Sequence, residues 1–588
     1  MKTRNEIDNK YKWDLTDICS LAQIDERMAE YKSLAPKLAS FAGKLHDKGS
    51  IKEFFELDEK CEAIIEPAIF YVVREMSTNI ADVTMQKKYR EMELMFQESA
   101  KYTTYFVPEL NKLPTSFIQE LIADPDFADH DMFFKDLLKN KKHIVSKRNQ
   151  DFLNDMSMFV GCEGEIRDML CDSELHFDDA LDSQGKLHSV NEAEYGKLLE
   201  SKDRTLRENA MKSLLNGYGK FNKTLALAYT AHVQGDIFSS KLAKFRSPLE
   251  QALNEYSISP KVYNNLIAQV HKHKGILQGL IDLTKTMTGI QDLAFWDMRA
   301  PIGELEREYT IEEMQDIILQ SLAPLGKEYL DLVKSKFQDK SIDYMPNKDK
   351  ESGAYSSAIY GYKSVIFMNN DGKFGSVETL IHEMGHAIHS ELYNRAQPRA
   401  KAGISIFLAE IASTTNEILL LRYMIENASS QQERNLYIMK MLRMFNSTIF
   451  TQTLYSEFEH YAHERLQDGE PLTYQEYNDK YASLNREYYG KELIIPECAQ
   501  YIWSRIPHFY RSYYVYQYAT GMICALYIVD KIFSESGFAE KYLDFLRLGE
   551  AELPLDALKT LGIDLTKTAT FDSAFRYAKQ LITQISKQ

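Results

Sequence analysis

One pentapeptide constrains this chain more than any other feature: His382-Glu383-Met384-Gly385-His386. At 3.6 residues per turn, positions i and i+4 share a helix face, so the segment must be helical for both imidazoles to reach one metal ion. The carboxylate between them then projects beside the metal. There it can take a proton from water, whose pKa zinc lowers towards about 7. The flanking residues agree with a helix. Ser376 is a candidate N-cap and Glu378 suits a first turn. Leu380, Met384, Ile388 and Leu392 repeat every four residues as a core-facing stripe, and His382, His386 and His389, continued by Tyr393, form a second.

A catalytic zinc usually takes three protein ligands and leaves one position for water. His389 is one candidate for the third, but two helical turns separate it from His382, a span of about 10 Å. Glu410, in the apolar stretch 407–413, fits better, because a carboxylate buried there needs a partner. His389 then stands behind the ligands or on the substrate side. Glu417, two turns beyond Glu410, is placed to accept from the far nitrogen of a ligating histidine. Downstream, segment 508–518 holds His508 and a dense set of tyrosines. Tyr513 and Tyr516 would share a helix face, either to donate to an oxyanion or to pack as an aromatic core. His460 and His463 also share a face but bracket no carboxylate in the required register, which suits a structural or surface role.

Composition excludes several classes. The net charge of −16 over 588 residues argues against a nucleic-acid partner. Six cysteines without a C-x-x-C pair make a disulfide framework or a zinc ribbon an unfavourable reading and suit a cytoplasmic protein. The first residues lack a signal-peptide core, and the apolar run 518–529 is too short to span a bilayer, so no membrane is implied. Glycine and proline are sparse, at 26 and 15, and helical periodicity is widespread, which predicts a mainly α fold. Residues 20–170 read as successive amphipathic helices, broken near 124–126 and 139–142. Strand and turn chemistry at 172–192 marks a boundary between an N-terminal helical domain, 1–190, and a catalytic domain, 191–588. A second break falls at 299–304. The clearest strand pair is 354–357 with 364–369. An edge strand just before the histidine helix could bind an extended peptide as a further strand, through the backbone of Gly353, Ala354 and Tyr355.

The run His382 to His389, Glu410 with Ser413 and Glu417, and the tyrosine segment from His508 to Gly521 resemble the M3 family of zinc peptidases, in particular its bacterial oligoendopeptidase F branch. Tyr11-Lys12-Trp13-Asp14-Leu15, Asp203-Arg204-x-x-Arg207 and Gly353-Ala354-Tyr355-Ser356 look like that branch too. The resemblance implies a large, mainly α, zincin-like peptidase with a small sheet beside the metal helix and a deep channel that admits short unstructured peptides. It implies one zinc per chain held by His382, His386 and Glu410, with Glu383 as general base and acid. It also implies that His508 and a tyrosine face the scissile carbonyl. Tyr513 matches the His-x-x-x-x-Tyr spacing of animal relatives. Position 517 is Gln where those relatives carry a further Tyr, so Tyr516 or Tyr514 would substitute. Two rival readings are a zinc exopeptidase using Arg505 or Arg511 to hold a terminal carboxylate, and a catalytically idle peptide-binding protein.

Overall fold

Amphipathic periodicity runs through most of the chain, and the computed structural model, which describes residues 1–145, 161–303 and 307–586, is built mainly of helices. Residues 146–160 of the expected helical run and Glu304 of the second expected break lie outside the described residues. The chain divides into two compact units. The first comprises Met1–Lys142, Arg307–Tyr423 and Lys531–Leu561, and the second His143–Glu306, Met424–Asp530 and Gly562–Gln588.

In the first unit, the long helix Lys48–Thr78 starts where Asp47 accepts from the Ser50 N–H, and it buries Phe54 against Phe106 with the rings stacked at 3.8 Å. The expected strand pair forms: Tyr355–Ser357 runs antiparallel to Val365–Phe367. A third strand, Ile342–Asp343, adds in parallel on the other side, so Val365–Phe367 is central and Tyr355–Ser357 lies at the edge. A two-residue strand carries too little alternation to be read from sequence. Trp13, Leu15 and Ile18 pack on Val365 and Phe367, which ties the N-terminal segment to the sheet.

The helix Phe374–Ala396 follows the sheet directly. Ser376 is not its N-cap. Lys373 holds that position, while the Ser376 hydroxyl donates to Asp371 Oδ1 at 2.7 Å and accepts from the Asp371 N–H at 3.0 Å. The apolar stripe is fully interior, with Leu380, Met384, Ile388 and Leu392 at most 3% exposed. Behind the helix, Lys336 forms a buried ion pair with Glu391 and donates to the Ser364 carbonyl.

In the second unit, Ala180–Leu181 and Leu187–His188 pair across the expected turn at 182–186, where Asp182 accepts from the N–H groups of Gln184 and Lys186. The helices Asn222–Leu242, Thr451–Gln467 and Tyr474–Tyr489 enclose an aromatic core of Tyr229, Phe458, Tyr477 and Trp503. The apolar run 518–529 belongs to the helix Tyr516–Ser534, and no described helix is long and apolar enough to cross a membrane.

Candidate active site

The predicted metal ligands converge. His382, His386 and Glu410 each offer a ligand atom, and the three atoms lie within 4.8 Å of one another. Glu410 Oε2 is 3.5 Å from His382 Nε2 and 3.6 Å from His386 Nε2. The third residue comes from the helix Ile406–Glu426, as a straight histidine helix requires. Ser413 donates to Glu410 Oε2 at 2.9 Å and so fixes the carboxylate from one turn further on. Burial raises the Glu410 pKa, but the two imidazoles and Ser413 outweigh it and hold the carboxyl at about 2.

Glu417 sits 3.0 Å from His382 Nδ1. That contact places the imidazole proton on Nδ1 and leaves Nε2 as a lone pair facing His386 and Glu410. Without a metal, burial disfavours the imidazolium, yet Glu417, Glu410 and Glu383 prevail and lift the His382 pKa to about 9. Such a pocket concentrates carboxylates around two imidazoles, and a divalent cation can replace the proton that those carboxylates stabilise on His382. The donor set therefore fits a metal such as zinc.

Two helices can approach this closely because position 385 is glycine. A Cβ there would stand 2.6 Å from Ser413 Cα and 2.8 Å from the Ala412 carbonyl oxygen. Sequence reading passed over Gly385. The signal was a lone glycine in the middle of a helix, which usually marks a close contact.

His389 lies outside the three-ligand cluster. It is 2% exposed and packs beside Tyr393 and Phe545, and burial together with His386 lowers its pKa to about 3. It is a neutral interior histidine rather than a substrate-side one.

Glu383 is buried beside the ligands, and desolvation raises its pKa above the ordinary carboxylate value, opposed by His382 and His386. The Ser356 N–H also favours its ionised form. Ser356 is available because of sheet register. Ile366 and Met368 donate to Ser341 and Asp343, so Val365 and Phe367 are left to bond the edge strand. Ser356, opposite Ile366, therefore turns its N–H and C=O outward. Gly353 takes a left-handed φ of 87°, and its carbonyl accepts from Asn369 Nδ2 at 2.9 Å.

The His508 segment belongs to the second unit. His508 sits exposed on the turn Pro507–Tyr510, 6.2 Å from the Tyr514 ring and 6.1 Å from Tyr518. Desolvation, then Arg511 and Arg167, lower its pKa, so it is neutral at pH 7 and can donate a hydrogen bond. Tyr513 and Tyr516 do not accompany it, being 2% and 1% exposed. Tyr513 adopts a left-handed φ of 55°. Its N–H donates to Glu459 Oε1 at 2.6 Å, and its hydroxyl lies 3.2 Å from His460 Nδ1. Tyr516 packs against Tyr263. The partly exposed phenols next to His508 are Tyr514 and Tyr518. Arg505, a candidate for holding a terminal carboxylate, is already paired in bidentate fashion with Glu192.

Comparison with known proteins covers the whole chain. The family model described as peptidase family M3 matches residues 197–577, and one described as oligopeptidase F matches residues 109–177. The chain is 31% identical to the oligopeptidase PepF of Bacillus subtilis, over 99% of its own length and 88% of that protein. It is also 31% identical to the group B oligopeptidase PepB of Streptococcus agalactiae, over 99% and 98% of the two chains. Among solved structures, oligoendopeptidase-F from Enterococcus faecium matches with a TM-score of 0.73 at 27% identity, covering 96% of this chain and 98% of that one. A protein from Chlamydophila abortus matches with a TM-score of 0.94 at 29% identity, covering 100% and 99%.

Proposed function

Because the chain belongs to peptidase family M3, we propose that His382, His386 and Glu410 hold one zinc ion and that Glu383 moves the proton during peptide hydrolysis. The protein is a metalloendopeptidase that cleaves internal bonds of oligopeptides. The observation that carries the assignment is the convergence of the three ligand atoms, with Glu417 fixing the His382 tautomer. Zinc at that position supplies a Lewis acid that polarises the peptide carbonyl and lowers the pKa of water. Glu383 takes the proton of the attacking water on its carboxylate and delivers it to the leaving nitrogen, a role suited to a carboxyl whose pKa burial has raised above the ordinary carboxylate value.

The outward backbone groups at the sheet edge, on Ala354 and Ser356 with Gly353 shaping the approach, hold the substrate as an added strand, whereas Tyr355, opposite Phe367, turns its backbone groups into the sheet. His508 and Tyr514 donate to the developing oxyanion. The reading favours Tyr514 over Tyr513 and Tyr516 because it is the accessible phenol whose ring lies beside His508. The proposed division at residue 190, into an N-terminal helical domain as one wall of the substrate channel and a catalytic domain, 191–588, is one of sequence, since the compact units cut across it and group Met1–Lys142 with the histidine helix. The gap between the matched family models, 177 to 197, supports this division. The six free cysteines support a cytoplasmic setting.

The test is mass spectrometry of products from peptides of roughly 5 to 20 residues with free and blocked ends, near neutral pH. Internal cuts that ignore blocked ends, lost in Glu383→Gln while metal content is kept, are the expected result. Trimming that requires a free end would refute the endopeptidase assignment. Full turnover in Glu383→Gln would refute the proton-transfer role.

A further inference from the structure

The second unit contains a cavity of about 970 Å³ whose lining residues all belong to that unit. Its electrostatics run against the chain as a whole. Among the described residues, five cationic side chains line it, Lys202, Arg299, Lys440, Arg443 and Arg505, against two carboxylates, Glu192 and Glu200, in a protein of net charge −16. The Arg505–Glu192 pair is internally neutral. Among the described residues, the two guanidinium groups that remain, Arg299 and Arg443, exceed the one remaining carboxylate, Glu200.

Arg443 is the centre of that excess. It is partly buried, its Nη2 donates to the Ala300 carbonyl at 2.7 Å, and its buried Nε has no hydrogen-bond partner among the described residues. Burial, and to a smaller degree Arg299, lower its pKa to about 10, with Glu200 acting in the opposite sense. Neither Arg299 nor Arg443 forms an ion pair with a described carboxylate. A guanidinium withdrawn from water normally acquires an anionic partner.

A second, independent group points the same way. Asn485 also lines the cavity, is 1% exposed, and has an Nδ2 without a hydrogen-bond partner among the described residues. The walls are preorganised. Arg207 and Arg204 hold Asp297 and so fix the loop that carries Arg299. A π-helical turn, Asn446–Phe450, presents Asn446 and Ser447 to the cavity. Tyr455, Tyr481 and Tyr489 add flat surfaces on the same lining.

We propose that this cavity is a binding site for a phosphate-bearing small molecule of up to nucleotide size. Guanidinium forks match phosphoryl oxygens in charge and geometry, and a phosphate monoester brings close to two negative charges, matching two unpaired arginines. The volume lies near the top of the range for small-ligand pockets, which leaves room beside a phosphate for a ring against the tyrosines. The proposal is independent of the peptidase assignment.

The test is calorimetric titration of the full-length, metal-loaded protein at fixed ionic strength with inorganic phosphate and with a nucleoside monophosphate. Citrate and an oligopeptide with a free or amidated C-terminus provide the comparison. Saturable binding of the phosphate compounds is expected, weakened roughly 10- to 100-fold in Arg443→Gln and in Arg299→Gln, the worth of one charge-assisted hydrogen-bonding group. Arg299 is exposed, so its variant keeps the test open should Arg443→Gln fail to fold. Binding of the phosphate compounds that is absent, or that is undiminished in both variants, would overturn the proposal. So would binding confined to citrate or to the peptide with a free carboxylate.

Discussion

Gly385→Ala should damage the metal site without touching a ligand. The added Cβ would stand 2.6 Å from Ser413 Cα and 2.8 Å from both Ser413 N and the Ala412 carbonyl oxygen, all of them backbone atoms of the partner helix. Ordinary contact begins near 3.4 Å, so the two helices must separate by roughly 0.8 Å or more. Glu410 rides on that partner helix one turn from Ser413, and His382 and His386 flank position 385. The separation therefore opens the ligand triangle directly, where metal–ligand distances are tolerant only to about 0.2 Å. Overpacking costs about 1–3 kcal/mol, while alanine recovers up to about 1 kcal/mol of helix propensity. A lower melting temperature is expected, with metal affinity weaker by tenfold or more and turnover lower by about 10²-fold, as an ångström of misplacement typically causes. Chelator competition, metal stoichiometry and single-turnover kinetics measure these effects. Gly375→Ala is the control: it lies in the first turn of the same helix, its Cβ would meet nothing within 4 Å, and it should be neutral or slightly stabilising. Wild-type metal affinity and turnover in Gly385→Ala would refute the argument that this glycine sets the spacing between the helices.

Five other outcomes are expected. Glu410→Ala should leave the protein without stoichiometric zinc, and full occupancy by elemental analysis would refute it as a ligand. Glu417→Gln should weaken metal binding by about 10- to 100-fold in chelator competition. The same pair sets a pH dependence: in metal-free protein the His382 pKa lies above its ordinary 6.5, at about 9. Its contribution to stability is thus complete below pH 6.5 and lost as the pH rises through 9, so the melting temperature of chelated protein should fall across that window, and less steeply in Glu417→Gln. Tyr514→Phe should lower turnover by about 10²- to 10³-fold with metal content and melting unchanged, whereas Tyr513→Phe should mainly lower stability, by about 1 kcal/mol; the opposite pattern would return the oxyanion role to Tyr513. Glu459 is buried with its pKa raised well above normal, so its contribution is lost as the pH rises towards that value, and Glu459→Gln should melt higher than wild type in alkaline buffer.

The parts legible in the sequence were those governed by a single local period. His382 and His386 are bound to one face by helix geometry, and the apolar stripe at 380, 384, 388 and 392 emerged almost wholly buried for the same reason. Glu410 was legible because a carboxylate in an apolar helix demands a partner. Reading failed wherever the local period was broken. Tyr513 and Tyr516 were paired on the assumption of a continuous helix, but the helix begins at Tyr516, and Tyr513 takes a left-handed conformation just before it. A non-glycine residue at φ near +55° is strained and persists only where its surroundings hold it, here through Glu459 and His460 from another helix. That reversal sends the Tyr513 side chain inward and leaves Tyr514 accessible beside His508. Nothing within segment 508–518 encodes it, because the groups that enforce it are some fifty residues upstream. The strain also has a consequence for the site. A left-handed residue braced by a buried carboxyl fixes the path of the whole loop, so the position of His508 and Tyr514 depends on Glu459 as much as on their own side chains.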